Sequence, residues 1–273
     1  MLFSILVAQY NNFEYFKDFY KSVLTQTYQN FEIVIVDDRS TDDSLEKIKT
    51  YTADDLRVKI FENKTNRGVG FTKRKCVEMA SGEICGFIDP DDAVTENALD
   101  LSIQTYLENP EIAGTYSQIM LCDNLLHLQK IYNRTRKVTN GKTLFFNINN
   151  EISHFFTFRK EAYLKTEGIN PNLSASEDFD LYLKIYEVGN LFYIPKPLYF
   201  YRLHDQGISQ GQLKKEIVHR NWDTMLMEAC KRRNITKIGK VTLAENCALS
   251  KIIFENENTL VAKVKRKIAT FLQ

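Results

Sequence analysis

Short apolar runs alternate with helical patterns over about the first 110 residues, and this alternation constrains the fold more than any other feature. The apolar runs have the length of buried strands: 2–8, 31–36, 58–61 and 84–88. The segments that follow them carry apolar residues at helical spacing: 11–24, 44–51, 70–80 and 95–108. Asn11 followed by Glu14 predicts a capping box at the start of the first helix. Strands that alternate with helices predict an α/β fold, with a mostly parallel central sheet flanked by helices.

The rest of the chain predicts fewer elements. The additional predicted strands are 113–122, 152–158 and 191–194. A helix is expected over 176–188, and the polar segment 123–150 reads as a loop or lid. Residues from Lys214 onward contain no proline and no strand pattern, so we expect them to be helical. The chain therefore divides into a domain at 1–210 and a C-terminal helical extension at 211–273.

Composition and charge exclude several classes of protein. The 273 residues are 44% hydrophobic and 26% charged, which is ordinary for a globular chain. The net charge of +1 gives no reason to expect a nucleic-acid partner. No apolar run approaches the ~18 residues of a membrane-spanning helix, and residues 1–8 lack the basic start of a signal peptide. The five cysteines show no CxxC pair, so we expect reduced thiols in a cytoplasmic protein.

Three acids follow the fourth predicted strand in the stretch Asp89-Pro90-Asp91-Asp92. Proline cannot continue a central ladder, so the strand ends there and the acids lie at its carboxyl tip. Ligands of open α/β sheets bind at that edge. Crowded carboxylates repel one another unless a cation joins them, and Mg²⁺ or Mn²⁺ with substrate phosphates is the usual solution. An acidic turn that caps a helix is the ordinary alternative.

Two further acidic pairs lie at the ends of predicted elements, Asp37-Asp38 after the second strand and Glu177-Asp178 at the start of a helix. Taken alone, the first pair fits a capped polar turn, and the second fits acids that favour a helix dipole. Because neighbouring parallel strands end at one sheet edge, the first pair is expected to share a crevice with the acids of the fourth strand. Three acidic clusters at such positions together indicate a functional site.

An ordered set of motifs over residues 1–210 resembles glycosyltransferase family 2, whose members have the Rossmann-like GT-A fold. The matching stretches are SILVAQYN (4–11), VLTQTY (23–28), FEIVIVDD (31–38), NRGVG (66–70), DPDD (89–92), SEDFDL (176–181) and YRLH (201–204). The resemblance implies inverting transfer of a sugar from a nucleotide-diphosphate donor, usually a UDP-sugar, to a hydroxyl of a glycan or lipid-linked acceptor. It also implies a Mn²⁺ or Mg²⁺ cofactor and a cytoplasmic enzyme of cell-surface polysaccharide synthesis.

The resemblance assigns the nucleotide to residues near the first strands and the third helix. Tyr10 matches the position that contacts the base, and Asp38 matches the acid that hydrogen-bonds it. Ala8 lies on the same base-binding stretch, where Ala8 and Gln9 replace the family's more usual Pro or Thr and Thr or Ser. Lys73 lies in a basic stretch where the family more often has Ala-Arg-Asn. It is expected either to reach the diphosphate or to lie on a solvated helix face.

The resemblance also assigns the metal and the catalytic base. Asp89, Asp91 and Asp92 match the family's metal and ribose site, with Asp91 and Asp92 expected closest to both. His204 lies where it can close over the diphosphate and the metal. A diphosphate leaving group needs its developing charge met, which a metal does as a Lewis acid. Asp178 matches the catalytic base, because an acceptor hydroxyl has a high pKa and needs a carboxylate within hydrogen-bond reach.

Other side chains have ordinary structural explanations. Glu177 is the adjacent alternative to Asp178 as base, since only one of two consecutive residues at a helix start faces the acceptor. His154 and Trp222 are expected to be structural residues rather than acceptor-binding ones. The basic apolar segment 260–268 predicts either a helix packed on the domain or peripheral contact with the inner face of a membrane.

Three other functions are compatible with parts of the sequence. A sugar nucleotidyltransferase would carry a glycine-rich, lysine-containing loop after the first strand, whereas residues 9–12 are Gln-Tyr-Asn-Asn. A haloacid-dehalogenase phosphatase would carry the Asp89-x-Asp91 motif after its first strand rather than after its fourth. A catalytically silent sugar-nucleotide-binding module would not need all the acids that the chain retains.

Overall fold

The computed structural model describes residues 1–204, 212–243 and 248–259, and its main feature is a nine-stranded sheet. Four strands form the parallel half of the sheet: β1 (Phe3–Gln9), β2 (Phe31–Asp37), β3 (Val58–Glu62) and β4 (Ile84–Phe87). They lie in the order β3-β2-β1-β4. Each coincides with a predicted apolar run, and the near-continuous burial of β1 and β2 is typical of strands covered on both faces.

The other half of the sheet contains five strands: β5 (Ala93–Val94), β6 (Ile112–Cys122), β7 (Leu128–Ile131), β8 (Thr157–Arg159) and β9 (Asn190–Arg202). β8 pairs antiparallel with both β4 and β6, and β9 runs parallel to β6. β7 and β5 pair antiparallel with β6 and β9. The sheet is therefore mixed rather than mostly parallel, because antiparallel neighbours need no helical crossover and no helix precedes β7 or β8 after β6.

Helices pack on both faces of the sheet. They are α1 (Phe13–Leu24), α2 (Ser44–Tyr51), α3 (Val69–Met79), α4 (Ala98–Glu108), α5 (Lys160–Tyr163), α6 (Glu177–Val188), α7 (Gln212–Arg232) and α8 (Leu249–Glu257). Because side chains alternate across a strand, Ile5 and Val7 join the core with α1 and α4, whereas Leu6 joins the core with α3 and α6. A third core packs α7 and α8 against α6. Each buried Ile, Leu or Phe side chain contributes about 1.5–3 kcal/mol of transfer free energy.

Two local predictions in the first two-thirds of the chain are wrong. Asn11 does not form a capping box, because its side-chain oxygen accepts from the backbone N–H of Thr41 at 2.8 Å and so binds the loop after β2. The predicted strand 152–158 is reduced to β8. The backbone N–H groups of Ile152 and Phe155 donate instead to side chains, Asn147 at 2.8 Å and Ser117 at 2.9 Å, so this segment forms no ladder.

Two predictions beyond residue 190 are also corrected. The strand predicted at 191–194 continues as β9 through Pro195 and Pro197 to Arg202, since irregular register opposite Ser117 and Gln118 accommodates the prolines. The C-terminal segment contains a small antiparallel hairpin of β10 (Lys237–Ile238) and β11 (Val241–Thr242) as well as helices. Gly239, with φ of +59°, makes the left-handed turn between its strands.

Several predictions concern membrane contact and thiols. Cys76, Cys85 and Cys122 are buried thiols, as expected. No helix in the described part of the chain combines the length and apolarity that crossing a bilayer requires. Cys247 and the basic segment 260–268 lie outside the described residues, so the predicted peripheral membrane contact stays a prediction.

Candidate active site

A cavity of about 750 Å³ opens at the carboxyl ends of β1, β2 and β4. The nine residues predicted for the site all line it: Ala8, Tyr10, Asp38, Lys73, Asp89, Asp91, Asp92, Asp178 and His204. The sheet explains this convergence, because parallel strands deliver their following loops to one edge. The residues predicted from separate motifs thus share one cavity, while their individual roles stay predictions.

The end of the cavity nearest β2 is built by Asp38, which is buried. Its Oδ1 accepts from the backbone N–H of Arg67 and its Oδ2 from that of Gly68, both at 2.8 Å. Gly68 has φ of +84°, a conformation that favours glycine, and α3 begins at the next residue. Tyr10 lies at the same end and is 44% exposed, so its ring is accessible to a ligand. Asp38 therefore fixes the loop that shapes this end.

α3 approaches the loop before α6 very closely at Gly70. The Gly70 N–H donates to the Leu173 carbonyl at 3.1 Å, and a Cβ at position 70 would lie 2.6 Å from that oxygen. A side chain there would push α3 away from the loop. This close approach brings Lys73, one turn along α3, to the start of α6.

Lys73 is buried at the centre of three carboxylates. Its Nζ lies 2.8 Å from Asp178 Oδ1, 2.9 Å from Glu177 Oε1 and 3.1 Å from Asp89 Oδ1. Burial opposes the ammonium form, but the three acids outweigh it and raise the pKa of Lys73 well above its usual value. The predicted solvated helix face is therefore wrong, because this side chain is 2% exposed and neutralises acids.

The three acids around Lys73 have pKa values shifted in different directions, because burial raises each of them and the lysine charge offsets that rise to a different degree at each. Burial raises the pKa of Asp178 and that of Glu177, and Lys73 only partly offsets this rise. For Asp89, burial also favours the neutral form, but the Lys73 charge prevails and the pKa lies below its usual value. Asp178 is thus a carboxylate with increased proton affinity, as a general base requires.

His154 lines the cavity beside Asp178, although the sequence favours a structural role for it over a place in the acceptor site. Its Nε2 lies 3.6 Å from Asp178 Oδ2, and its ring stacks on Tyr199 at 4.9 Å between centroids. Burial lowers the pKa of His154 to about 4. The imidazole is therefore neutral at physiological pH and adds no positive charge beside Asp178.

A second polar group lies at the end of β9. His204 Nε2 is 2.8 Å from Asp91 Oδ2, and the Tyr15 ring packs on the imidazole at 4.6 Å. His204 Nδ1 is buried and has no hydrogen-bond partner among residues 1–204, 212–243 and 248–259. A carboxylate beside an imidazole is a ligand set that suits a divalent cation such as Mn²⁺. Asp91 and His204 therefore fit a metal.

Asp92 faces a different environment from Asp91. It is 2% exposed, and its Oδ1 accepts from the backbone N–H of Arg202 at 2.8 Å. Burial and the neighbouring charges of Asp91 and Asp89 raise the pKa of Asp92 well above its usual value. Asp92 therefore joins β9 to the end of β4, which positions His204 two residues beyond Arg202.

A second group, Asp89, His154 and Asp178, also offers three potential metal-ligand atoms within 4.8 Å of one another. However, Lys73 Nζ already contacts Asp89 and Asp178 at 3.1 and 2.8 Å. A divalent cation bound there would repel this ammonium at short range. On electrostatic grounds, Asp91 and His204 therefore suit a divalent cation better than this group does.

Gln9 also lines the cavity, at the position of the base-binding stretch where it replaces the family's more usual Thr or Ser. It is 1% exposed, and neither side-chain oxygen nor nitrogen finds a partner within the described chain. A buried amide normally forms hydrogen bonds. The sequence feature that could have indicated a ligand-binding role for Gln9 is its position as a polar residue at the end of an otherwise apolar strand.

The family model for glycosyl transferase family 2 matches residues 4–166, which is more than half of the chain. The chain belongs to glycosyl transferase family 2. This membership decides against the phosphatase and nucleotidyltransferase alternatives. The family resemblance read from the motifs is therefore confirmed.

Curated relatives of this family 2 chain include polysaccharide synthases. It is 31% identical to the chondroitin synthase of Escherichia coli over 242 residues, covering 86% of this chain and 34% of the relative. It is 28% identical to the hyaluronan synthase of Pasteurella multocida over 248 residues, covering 86% of this chain and 24% of the relative. The chain thus spans about a quarter to a third of the length of these two relatives.

Solved structures confirm the GT-A type of α/β fold for this family 2 chain. S. aureus TarS 1-349 in complex with UDP-GlcNAc matches with a TM-score of 0.65 at 20% identity, covering 94% of this chain and 72% of that one. A mannosyltransferase from Pyrobaculum calidifontis, in complex with GDP-Man and Mn²⁺, matches with a TM-score of 0.58 at 14% identity, covering 99% and 79% of the two chains. At these identities the likeness concerns the fold.

Proposed function

We propose that this chain is a metal-dependent, inverting glycosyltransferase that moves a sugar from a UDP-sugar to a hydroxyl of a glycan or lipid-linked acceptor in cell-surface polysaccharide synthesis. One observation carries the proposal. A pair that fits a cation, Asp91 and His204, and a carboxylate with raised proton affinity, Asp178, line the same cavity of about 750 Å³. A sugar transfer from a diphosphate needs both of these functions.

The donor is proposed to lie with its base at the end of the cavity formed by Tyr10 and Asp38. The accessible Tyr10 ring offers a surface on which a base can stack, and Ala8 leaves room beside it. Structures of the same fold with bound UDP and UDP-GlcNAc support a uridine donor. Asp91 and His204 would hold Mn²⁺ or Mg²⁺, which supplies a Lewis acid for the diphosphate charge when bound.

Asp178 is proposed to take the proton of the acceptor hydroxyl. As that oxygen forms a bond to the anomeric carbon, the bond from the same carbon to the diphosphate breaks, so the diphosphate leaves with the electron pair. Attack opposite the leaving group inverts the configuration. Lys73 holds one oxygen of Asp178 at 2.8 Å, which leaves the other oxygen to meet the hydroxyl.

Purified protein would be titrated with UDP-, GDP- and dTDP-sugars in Mn²⁺, Mg²⁺ or EDTA, with binding followed by calorimetry and donor hydrolysis by nucleotide release. We expect one UDP-sugar to bind and to be hydrolysed slowly with metal but not with EDTA. Tyr10→Ala should weaken binding about tenfold. Tyr51→Ala is the matched control, because Tyr51 is 41% exposed but lies outside the cavity lining.

Binding without any turnover would favour the catalytically silent module instead. If no nucleotide sugar binds with any metal, the proposed transferase is wrong.

A further inference from the structure

Two aromatic rings lie beside the proposed base. Phe179 directly follows Asp178 on α6, and its ring centroid is 5.2 Å from that of Trp222 on α7, at an interplanar angle of 44°. Both residues are half-buried and line the cavity. Val218, one turn earlier on α7, lines it as well. The rings therefore form an apolar wall next to a carboxylate.

This wall is held in place by its surroundings. Asn221 Nδ2 donates to Ala175 O at 3.1 Å and to Ser174 Oγ at 3.2 Å, which joins α7 to the loop before α6. Trp222 and Phe179 also pack against the third core, formed by α6, α7 and α8. The sequence predicts packing for Trp222, and the structure gives it both packing and a cavity-facing position.

Asn150 lines the same cavity as the aromatic wall and offers a hydrogen-bond acceptor to a ligand. Asn150 Nδ2 donates to Tyr132 Oη at 2.9 Å, whereas Asn150 Oδ1 is buried and finds no partner in the described ranges. A hydroxyl is the kind of ligand group that would satisfy such an acceptor. Ligand sites of this kind are mostly aromatic and apolar with a few placed polar groups.

The charges of the cavity disfavour an acceptor that carries phosphate. Lys73 and Arg202 are the lysine and arginine side chains that line it in the described part of the chain, and both are engaged. Lys73 binds three carboxylates, and Arg202 Nη2 donates to Asp18 at 2.9 Å. A phosphate on the acceptor would therefore meet acids and find no available lysine or arginine among the described lining residues.

We infer that Trp222 and Phe179 form the acceptor subsite, and that they bind the C–H face of a pyranose with one of its hydroxyls directed to Asp178. A pyranose presents an apolar face and a rim of hydroxyls, which matches an aromatic wall facing polar groups. An acyclic polyol lacks that flat face. This inference rests on the proposed function and specifies the class of its acceptor.

Trp222 is the single tryptophan of the chain, so its fluorescence reports this wall alone. Protein with bound UDP and Mn²⁺ would be titrated with the methyl β-glycosides of glucose, galactose and N-acetylglucosamine. Ribitol and glycerol 3-phosphate are the acyclic comparisons. We expect a saturable change in emission and reduced acrylamide quenching with at least one pyranoside, and neither effect with the acyclic compounds.

Transfer kinetics give the second test. In Trp222→Ala, the KM for the pyranoside that changes the emission should rise about tenfold while the affinity for UDP stays unchanged. Trp222→Phe keeps an aromatic face and should show a smaller rise, which also covers the case in which the alanine variant fails to fold. Phe254→Ala is the control, because Phe254 is 51% exposed on α8 and outside the cavity lining.

The inference is overturned if no pyranoside changes the emission, if the acyclic compounds change it equally, or if Trp222→Ala lowers UDP affinity and leaves acceptor KM unchanged. These outcomes differ from failure of the proposed function, in which the wild-type protein binds no nucleotide sugar at all.

Discussion

Asp89 and Asp91 are separated by one residue, yet they lie in two different electrostatic environments. Asp89 contacts the buried ammonium of Lys73 at 3.1 Å, which belongs to the protein and cannot leave. Asp91 contacts His204 Nε2 at 2.8 Å, and this hydrogen bond can be replaced when both side chains bind a metal ion. Pro90 and Asp91 form a turn after β4 has ended at Phe87, closed by the Asp92 N–H donating to the Asp89 carbonyl at 3.0 Å, and the two carboxylates meet different partners on either side of Pro90.

This difference shows how one acidic turn can serve two chemical tasks. The fixed cation keeps several acids together around the proposed base without a bound ion. Asp91 and His204, the exchangeable pair, leave a place for the cation that accompanies a diphosphate. Each variant below removes one member of this arrangement, so that its effect can be separated from the others.

The largest effect is expected from Asp178→Asn. Loss of a general base costs about 10²–10⁴-fold in rate, so we expect transfer to fall about 10³-fold while UDP-sugar affinity is unchanged. Donor binding by calorimetry and transfer by product formation measure the two separately. Glu177→Gln is the matched control on the same helical turn. The comparison fails if Asp178→Asn abolishes donor binding, or if Glu177→Gln has the larger effect on transfer.

Lys73→Met should follow, because it leaves the buried Glu177 and the half-buried Asp89 and Asp178 without their cation. Removing one partner of a buried ion pair costs about 3–5 kcal/mol, so a stability loss of about 3 kcal/mol is expected by denaturant unfolding. The lysine charge lowers the pKa of Asp178, so its removal raises that pKa. The acidic limb of the pH profile of the transfer rate should then move to higher pH. Lys73→Arg should restore most of both properties; an unmoved limb in Lys73→Met would contradict the assignment.

His204→Ala tests the exchangeable pair. We expect Mn²⁺ affinity, measured with nucleotide present, to fall about 100-fold, with little change in the stability of the metal-free protein. His127→Ala is a close control, because His127 Nδ1 lies 3.2 Å from Asp123 Oδ2 on the surface, away from the cavity. Equal metal affinity in His204→Ala and wild type would move the metal to the group of Asp89, His154 and Asp178.

The smallest effect concerns an ordinary ion pair that serves as a reference. The hydrogen bond from Arg57 lowers the pKa of Asp55 from 3.8 to about 2. Its folded pKa is below the unfolded value, so its contribution is complete above about pH 4 and is lost as the pH falls through about 2. Asp55→Asn should cost about 1 kcal/mol at pH 7 and much less at pH 2, where about half of the folded carboxylate is protonated. The exposed neighbour Asp54→Asn should be silent at both; a constant cost in Asp55→Asn would mean packing rather than charge.

Much of the fold could be predicted because its first half is built from local patterns. Strands β1 to β4 and helices α2 and α6 begin and end within about a residue of the predicted positions. Segment 132–156 could not be predicted in this way. Its backbone groups bind side chains, as when the Phe155 N–H donates to Ser117 Oγ, 38 residues away in sequence. The periodicity of apolar residues cannot predict a hydrogen bond between residues so far apart in sequence.

The site was predictable in its residues but not in its pairings. Strand-end acids are visible as motifs, so the nine expected residues do line one cavity. The contact of Lys73 with Asp178 joins residues 105 apart, and it depends on how α3 and α6 pack. Trp222 lies 44 residues after Asp178 in sequence. Its place beside Phe179 follows from the packing of α7 against α6, whereas the sequence pattern predicts only that this segment is helical.

α7 supplies Val218 and Trp222, whereas every other described lining residue comes from residues 8–204. The donor end and the proposed base are thus encoded in one continuous stretch, and one helix face beyond it completes the acceptor wall. Transplanting that face from a relative is therefore a route to a new acceptor preference with the same donor. An enzyme with such a division can diversify its products by changing a handful of codons.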